Sequence, residues 1–163
     1  ATGLRLFTVY GPWGRPDMAP MIFAKAACKG EKIKIFNYGR MKRDFTYISE
    51  VVESIYKCCF KIPFKESIFE KDLPKKLVTL APHKVFNVGN NNIIDIMDFI
   101  DLLEKELGLK SIKEFIHMQP GDVKATESDS TKLYEWIGFR PKISIEEGIP
   151  YFVKWFKEYY KIT

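Results

Sequence analysis

The sequence has no apolar run near the roughly 18 residues that a membrane-spanning helix needs. Cysteine is scarce. Cys28, Cys58 and Cys59 are the only three; the number is odd, two are adjacent, and no Cys-x-x-Cys pair is present. That spacing suits neither a disulfide framework nor a zinc site, and reads as free thiols in a reducing cytoplasm. Histidine is scarcer still, with His83 and His117 far apart in the chain, so no metal cluster is expected. No Gly-x-Ser-x-Gly, phosphate-binding Walker loop or His-Glu-x-x-His is found, and no signal-peptide pattern opens the chain. The net charge is +5. Its lysines alternate with Asp and Glu and form no dense basic run with stacking aromatics, which reads as a solvated surface and argues against nucleic-acid binding.

What is present is a core-forming composition. Hydrophobic residues make up 46% and aromatics 15% of 163 residues, enough for one domain spanning residues 1–163. The chain starts Ala1-Thr2-Gly3 and enters an apolar run at once, as the interior of a longer polypeptide would.

Strand and helix patterns alternate from there, which predicts an α/β architecture. The run LRLFTVY, from Leu4 to Tyr10, reads as one strand buried on both faces. Asp17 is a candidate N-cap for a helix that carries Pro20 in its first turn and stops at Gly30. KIKIF, a turn at Asn37-Tyr38-Gly39 and RDFTYI predict two further strands. Ser49 is placed to cap a helix whose apolar face holds Val52, Ile55 and Cys59. Residues 61–82 read as a long loop. Residues 84–88 predict a strand and Gly89-Asn90-Asn91 a turn. Ile93, Ile96 or Met97, Ile100, Leu103 and Leu107 recur at helical spacing up to Gly108. Residues 111–118 predict a strand, and Asp129 or Ser130 opens a short helix ended by Gly138. Ser144 and Glu147 form a capping-box pattern. The helix it opens has Phe152, Val153, Phe156 and Tyr160 on one face, and Pro150 is expected to kink it or delay its start.

Two motifs are decoys. Gly11 and Gly14 sit between a strand and a helix, where a phosphate could rest, but Asp17 stands where a dinucleotide fingerprint needs its third glycine. Tyr38 and Lys42 have the spacing of a short-chain dehydrogenase pair. That chemistry needs both on one helix face, and here the spacing spans a glycine turn.

Five blocks in order, LRLFTVYGPWGRPDM, FNYGRMKRDFTYI, FNVGNNN, MQPGDV and IGFRPKISIEEGI, resemble the extended short-chain dehydrogenase/reductase family. The resemblance is strongest to its nucleotide-sugar epimerases of the UDP-glucuronate 4-epimerase type, and it covers the C-terminal half of such an enzyme. It implies the last Rossmann strands plus a small α/β substrate-binding domain, without the Gly-rich NAD loop or the catalytic Tyr/Lys pair. Catalytic residues are therefore expected nowhere in this chain. NAD serves the full-length family, and this chain is expected to bind none by itself. The implied partner is a UDP-sugar.

The resemblance also implies roles. Arg43 would pair with the diphosphate, a role suited to its planar fork. Thr8 and Arg15 would face a glucuronate carboxylate, Phe36 and Asn37 the uracil, and Asp122 the ribose hydroxyls. Gln119 stands where galactose-type epimerases often carry an Arg for the diphosphate. Phe7 would lie near the nicotinamide. A decarboxylase or dehydratase on the same scaffold and a non-catalytic UDP-sugar-binding or structural module are the alternative readings. Without upstream strands, the chain is expected to self-associate through the strand from Leu4 to Tyr10 or to leave that segment poorly ordered.

Overall fold

A computed structural model describes residues 1–64 and 82–162; the expected loop over residues 61–82 lies largely outside them. The apolar run that opens the chain is two strands, not one. β1 (Thr2–Leu6) pairs in parallel with β5 (Lys84–Val88), whereas β2 (Thr8–Tyr10) pairs in parallel with β4 (Lys42–Tyr47). Phe7 is the joint, and its N–H donates to the Val88 carbonyl at 3.1 Å. Full burial is not reached either: Leu6 is 48% exposed.

β4 is the hub. Its far edge pairs antiparallel with β6 (Ile93–Asp95), so Ile93 belongs to a strand rather than to the helix that follows. β3 (Lys32–Ile35) pairs in parallel with β7 (Ile112–Phe115), a shorter strand than residues 111–118. A 3₁₀ turn, Phe36–Gly39, leads from β3 to β4, with Asn37 and Tyr38 in left-handed backbone.

Five helices complete the described fold. α1 (Ala19–Lys29) opens after Met18 without a side-chain cap, and Asp17 bonds Arg15 instead. α2 (Ile48–Cys59) starts two residues earlier than expected, with Tyr47 at the N-cap in place of Ser49. α3 (Ile96–Leu107) and α4 (Thr131–Ile137) end on left-handed Gly108 and Gly138. α5 (Ile145–Tyr160) carries the capping box on Ser144 and Glu147 and passes through Pro150 without a delayed start.

The main core lies between β4 and helices α1, α3 and α5. Phe45 stacks on Phe99 at 4.4 Å between ring centroids, with Tyr10 edge-on to both. Phe152, Val153 and Phe156 of α5 are buried as expected, whereas Tyr160 at the end of the helix is exposed. A second, smaller cluster holds Val51, Cys58, Phe86, Val88 and Leu133. The candidate site opens beside β4.

Candidate functional site

Side chains alternate along a strand, so β4 presents Arg43 and Phe45 to one side and Asp44 and Thr46 to the other. Phe45 and Arg43 line a cavity of about 180 Å³, together with Thr8, Phe36, Met41, Phe23 and Asp122. Next to it is a more open cleft of about 540 Å³ lined by Arg5, Leu6, Phe7, Thr8, Arg43, Asn87 and Thr126. Thr8 and Arg43 border both spaces. Most of the inner wall is apolar, with Lys34 and a charged pair among its lining residues.

That pair is Arg43 and Asp122, 2.8 Å apart and half-buried. Residues 124–126 run beside the start of β4: Lys42 N–H donates to the Lys124 carbonyl at 2.9 Å, and Thr126 N–H to the Lys42 carbonyl at 3.2 Å. This pairing brings Asp122 opposite Arg43. The guanidinium also donates through Nη1 to the Lys42 carbonyl at 2.8 Å and, more loosely, to that of Lys124 at 3.5 Å. A guanidinium has five N–H donors, so these bonds leave two for a ligand. The second Asp122 contact is the Val123 N–H at 2.8 Å.

Behind the cavity sits a residue that sequence reasoning passed over. Asp44 is fully buried. It accepts from the backbone N–H groups of Asn90, Asn91 and Ser128 at 2.9, 3.1 and 3.0 Å, and from the Ser128 hydroxyl. One carboxylate thus ties the turn after β5 to the segment that carries Asp122. Gly89 allows this approach, because a Cβ there would lie 2.3 Å from Ser128 Oγ. The usable signal was an acidic residue inside the predicted strand RDFTYI, next to Phe45, since a buried carboxylate must be hydrogen-bonded.

Of the residues singled out from the sequence, Thr8, Phe36, Arg43 and Asp122 meet at the cavity, and Phe7 lines the adjoining cleft. Three stand apart from the described cavity walls. Asn37 turns its amide onto the Arg40 carbonyl at 2.8 Å. Gln119 is exposed on a turn, its carbonyl accepting from Asp122 N–H at 3.2 Å. Arg15 is exposed and paired with Asp17 through Nε at 3.2 Å and Nη2 at 2.5 Å. The Arg15 bond holds the Asp17 carboxyl below the usual range.

The decoys stay decoys. Tyr38 Oη lies 3.0 Å from His117 Nε2, while Lys42 Nζ reaches Asp95 at 3.2 Å, so the two make no pair. Gly11 uses its positive φ to pack: a Cβ would meet Ile48 Cγ2 at 2.4 Å. α1 opens with Pro20 in its first turn, which removes a backbone donor that a pyrophosphate cradle would use. These residues do not fit a dinucleotide. Among the described residues no cluster suits a metal ion, and no helix is long and apolar enough to cross a membrane.

In fold, the chain is similar to about half of a nucleotide-sugar epimerase. It matches a UDP-glucuronic acid 4-epimerase from Bacillus cereus, solved in complex with UDP-glucuronic acid and NAD, with a TM-score of 0.77 and 30% identity over 96% of this chain and 45% of that one. In sequence it is 44% identical to an uncharacterized 37.6 kDa protein of Escherichia coli O111:H- over 99% of this chain and 48% of the relative. It is 40% identical to a probable UDP-glucuronate 4-epimerase of Rhizobium meliloti (strain 1021), over 98% of this chain and 47% of the relative. Residues 1–63 match the model of the NAD dependent epimerase/dehydratase family. The chain belongs to that family, and it spans about half the length of the curated relatives it matches.

Proposed function

We propose that this chain is the C-terminal, UDP-sugar-binding half of a nucleotide-sugar epimerase that acts on UDP-glucuronate. The observation that carries the reading is the Arg43–Asp122 pair at the end of an apolar cavity bordered by Thr8 and Phe36. A UDP-sugar has a flat base, a ribose, a diphosphate and a hexose in line. Phe36 supplies an apolar wall for the base, with Asn37 following it. Asp122 accepts from ribose hydroxyls, and the two remaining Arg43 donors meet diphosphate oxygens. Gln119, on the turn before Asp122, is available to add an uncharged contact. Thr8 and Arg15 take the sugar end, where a carboxylate suits a hydroxyl and a guanidinium. Phe7 would face the nicotinamide of a cofactor held by the other half.

When NAD is bound in such an enzyme it accepts and returns hydride at the sugar. This chain's part is to bind and orient the sugar nucleotide. Among the described residues there is no dinucleotide cradle and no acid/base Tyr/Lys pair, so the chain is expected to turn nothing over alone.

Calorimetric titration tests the reading. UDP and UDP-glucuronate should both bind the purified chain, and Arg43→Ala should weaken both by about 1.5–3 kcal/mol, the worth of a hydrogen bond to a charged group. No conversion of UDP-glucuronate to UDP-galacturonate should occur with added NAD. Equal affinity of wild type and Arg43→Ala would refute the assignment.

A further inference from the structure

Resting on the reading of Arg15 as the partner of an anionic sugar, we propose that Asp17 is a positioning residue: the resident counter-ion of Arg15, displaced from it by the carboxylate of the incoming ligand. The loop that carries both residues joins two walls of the cavity. Thr8 lies just before it on β2, and Met18 and Ala19 just after it at the start of α1; all three line the cavity.

The loop backbone is pinned. Gly11 has no room for a Cβ against Ile48 and Tyr47. Trp13 has a φ of 61°, a region disfavoured for residues with a Cβ. Its ring is held 5.5 Å from Trp155 and 5.1 Å from Tyr159 of α5. The Arg15 carbonyl accepts from Met18 N–H at 3.2 Å. With the backbone held in this way, the exposed Arg15 side chain sits three residues before Met18, which lines the cavity.

In this structure the Arg15 fork is filled. Nε and Nη2 each meet one Asp17 oxygen, the same bidentate arrangement that a ligand carboxylate would make. Arg15 and Asp17 side chains are 73% and 63% exposed. Exposed pairs of this kind are weak, so a second carboxylate can replace the first at little net cost. A neutral hexose brings no anion for the exchange and leaves Arg15 on Asp17. Asp17 thereby keeps the guanidinium oriented and in waiting, and it lowers the affinity for an anionic sugar by the strength of the pair.

Titration of the full chain with UDP, UDP-glucose and UDP-glucuronate tests this. Asp17→Asn should tighten UDP-glucuronate by about 2- to 5-fold, the range expected for an exposed ion pair. UDP and UDP-glucose should change by less than about 2-fold on the same scale. In an Arg15→Ala background the effect of Asp17→Asn should vanish, and Asp17→Ala should behave as Asp17→Asn does. A change shared by all three ligands would mark Asp17 as merely structural and overturn the proposal. So would weaker UDP-glucuronate binding, or an effect that survives Arg15→Ala. UDP-glucuronate binding no tighter than UDP-glucose to wild type would remove the Arg15 role and the proposal with it. Failure of UDP itself to bind would instead bring down the UDP-sugar reading beneath both.

Discussion

Buried carboxylates set much of the architecture, and each is satisfied differently. Asp44 is held by backbone and hydroxyl donors, and it locks the site from behind. Glu50 accepts from the N–H groups of Lys142 and Ile143 at 2.6 and 3.1 Å. Burial pushes its carboxyl up, only partly opposed by those bonds. Glu104 is held by charge: Lys113 Nζ lies 2.5 Å away, Lys110 Nζ 3.0 Å, and Ser111 N–H donates at 3.0 Å. Burial pushes this carboxyl up too, but the bonds from Lys113, Ser111 and Lys110 outweigh it and bring it down to about 2 from 4.5. A depressed carboxyl contributes stability above its unfolded value, and that contribution is lost as pH falls from about 4.5 through about 2. The shift corresponds to about 3 kcal/mol. Glu104→Gln should cost about that much at neutral pH and flatten the acid limb of stability, as read by urea unfolding between pH 2 and 7. An unchanged acid limb would show that the pair does not couple to folding.

Elements with strong local end signals are legible in the sequence. Gly30, Gly108 and Gly138 end helices in left-handed backbone, and the capping box opens α5. Residues 84–88 form the expected strand. What local pattern misses is rotation and partner choice. The stripe Val52, Ile55 and Cys59 on α2 faces solvent, with Val52 54% exposed, while Val51, Ser54 and Cys58 turn inward. Glu50 explains the rotation, because its carboxylate must reach the backbone ahead of α5, and a buried charge outweighs a few exposed apolar side chains. Helix α5 depends on a close approach of its own. A Cβ on Gly148 would lie 2.0 Å from Tyr10 Oη, which donates to the Ser144 carbonyl at 3.2 Å. Gly148→Ala should therefore destabilise by about 1–3 kcal/mol, as overpacking does, despite alanine's better helix propensity. A thermal midpoint equal to or above that of wild type would contradict it.

For the whole molecule, the open question is the edge of β1. β1 pairs with β5 on one side, and among the described residues no strand pairs with its other edge. Leu6 and Val85, on adjacent strands, are 48% and 47% exposed. Open strand edges beside apolar side chains recruit further chains. We expect the purified chain to self-associate through β1, with a concentration-dependent mass by light scattering. Leu6→Lys should shift it towards monomer without loss of secondary structure. A strictly monomeric wild type at high concentration would refute this.

By itself the sequence determined the alternation of strands and helices, the glycine-stopped ends of α1, α3 and α4, the starts of α4 and α5, and the family, because caps, turns and period-2 or period-3.6 patterns are local properties of a chain. It also determined which residue types were available to bind a sugar nucleotide. Only the tertiary structure decided that residues 4–10 divide at Phe7 between two sheets, since that break depends on β4 and β5 competing for one strand. Only it decided that Arg43 meets Asp122, 79 positions away, and that Arg15 rests on Asp17. The Arg43–Asp122 pairing leaves no periodic trace in the sequence: it comes from β4, which brings distant segments together, and from Asp44, which fixes them there.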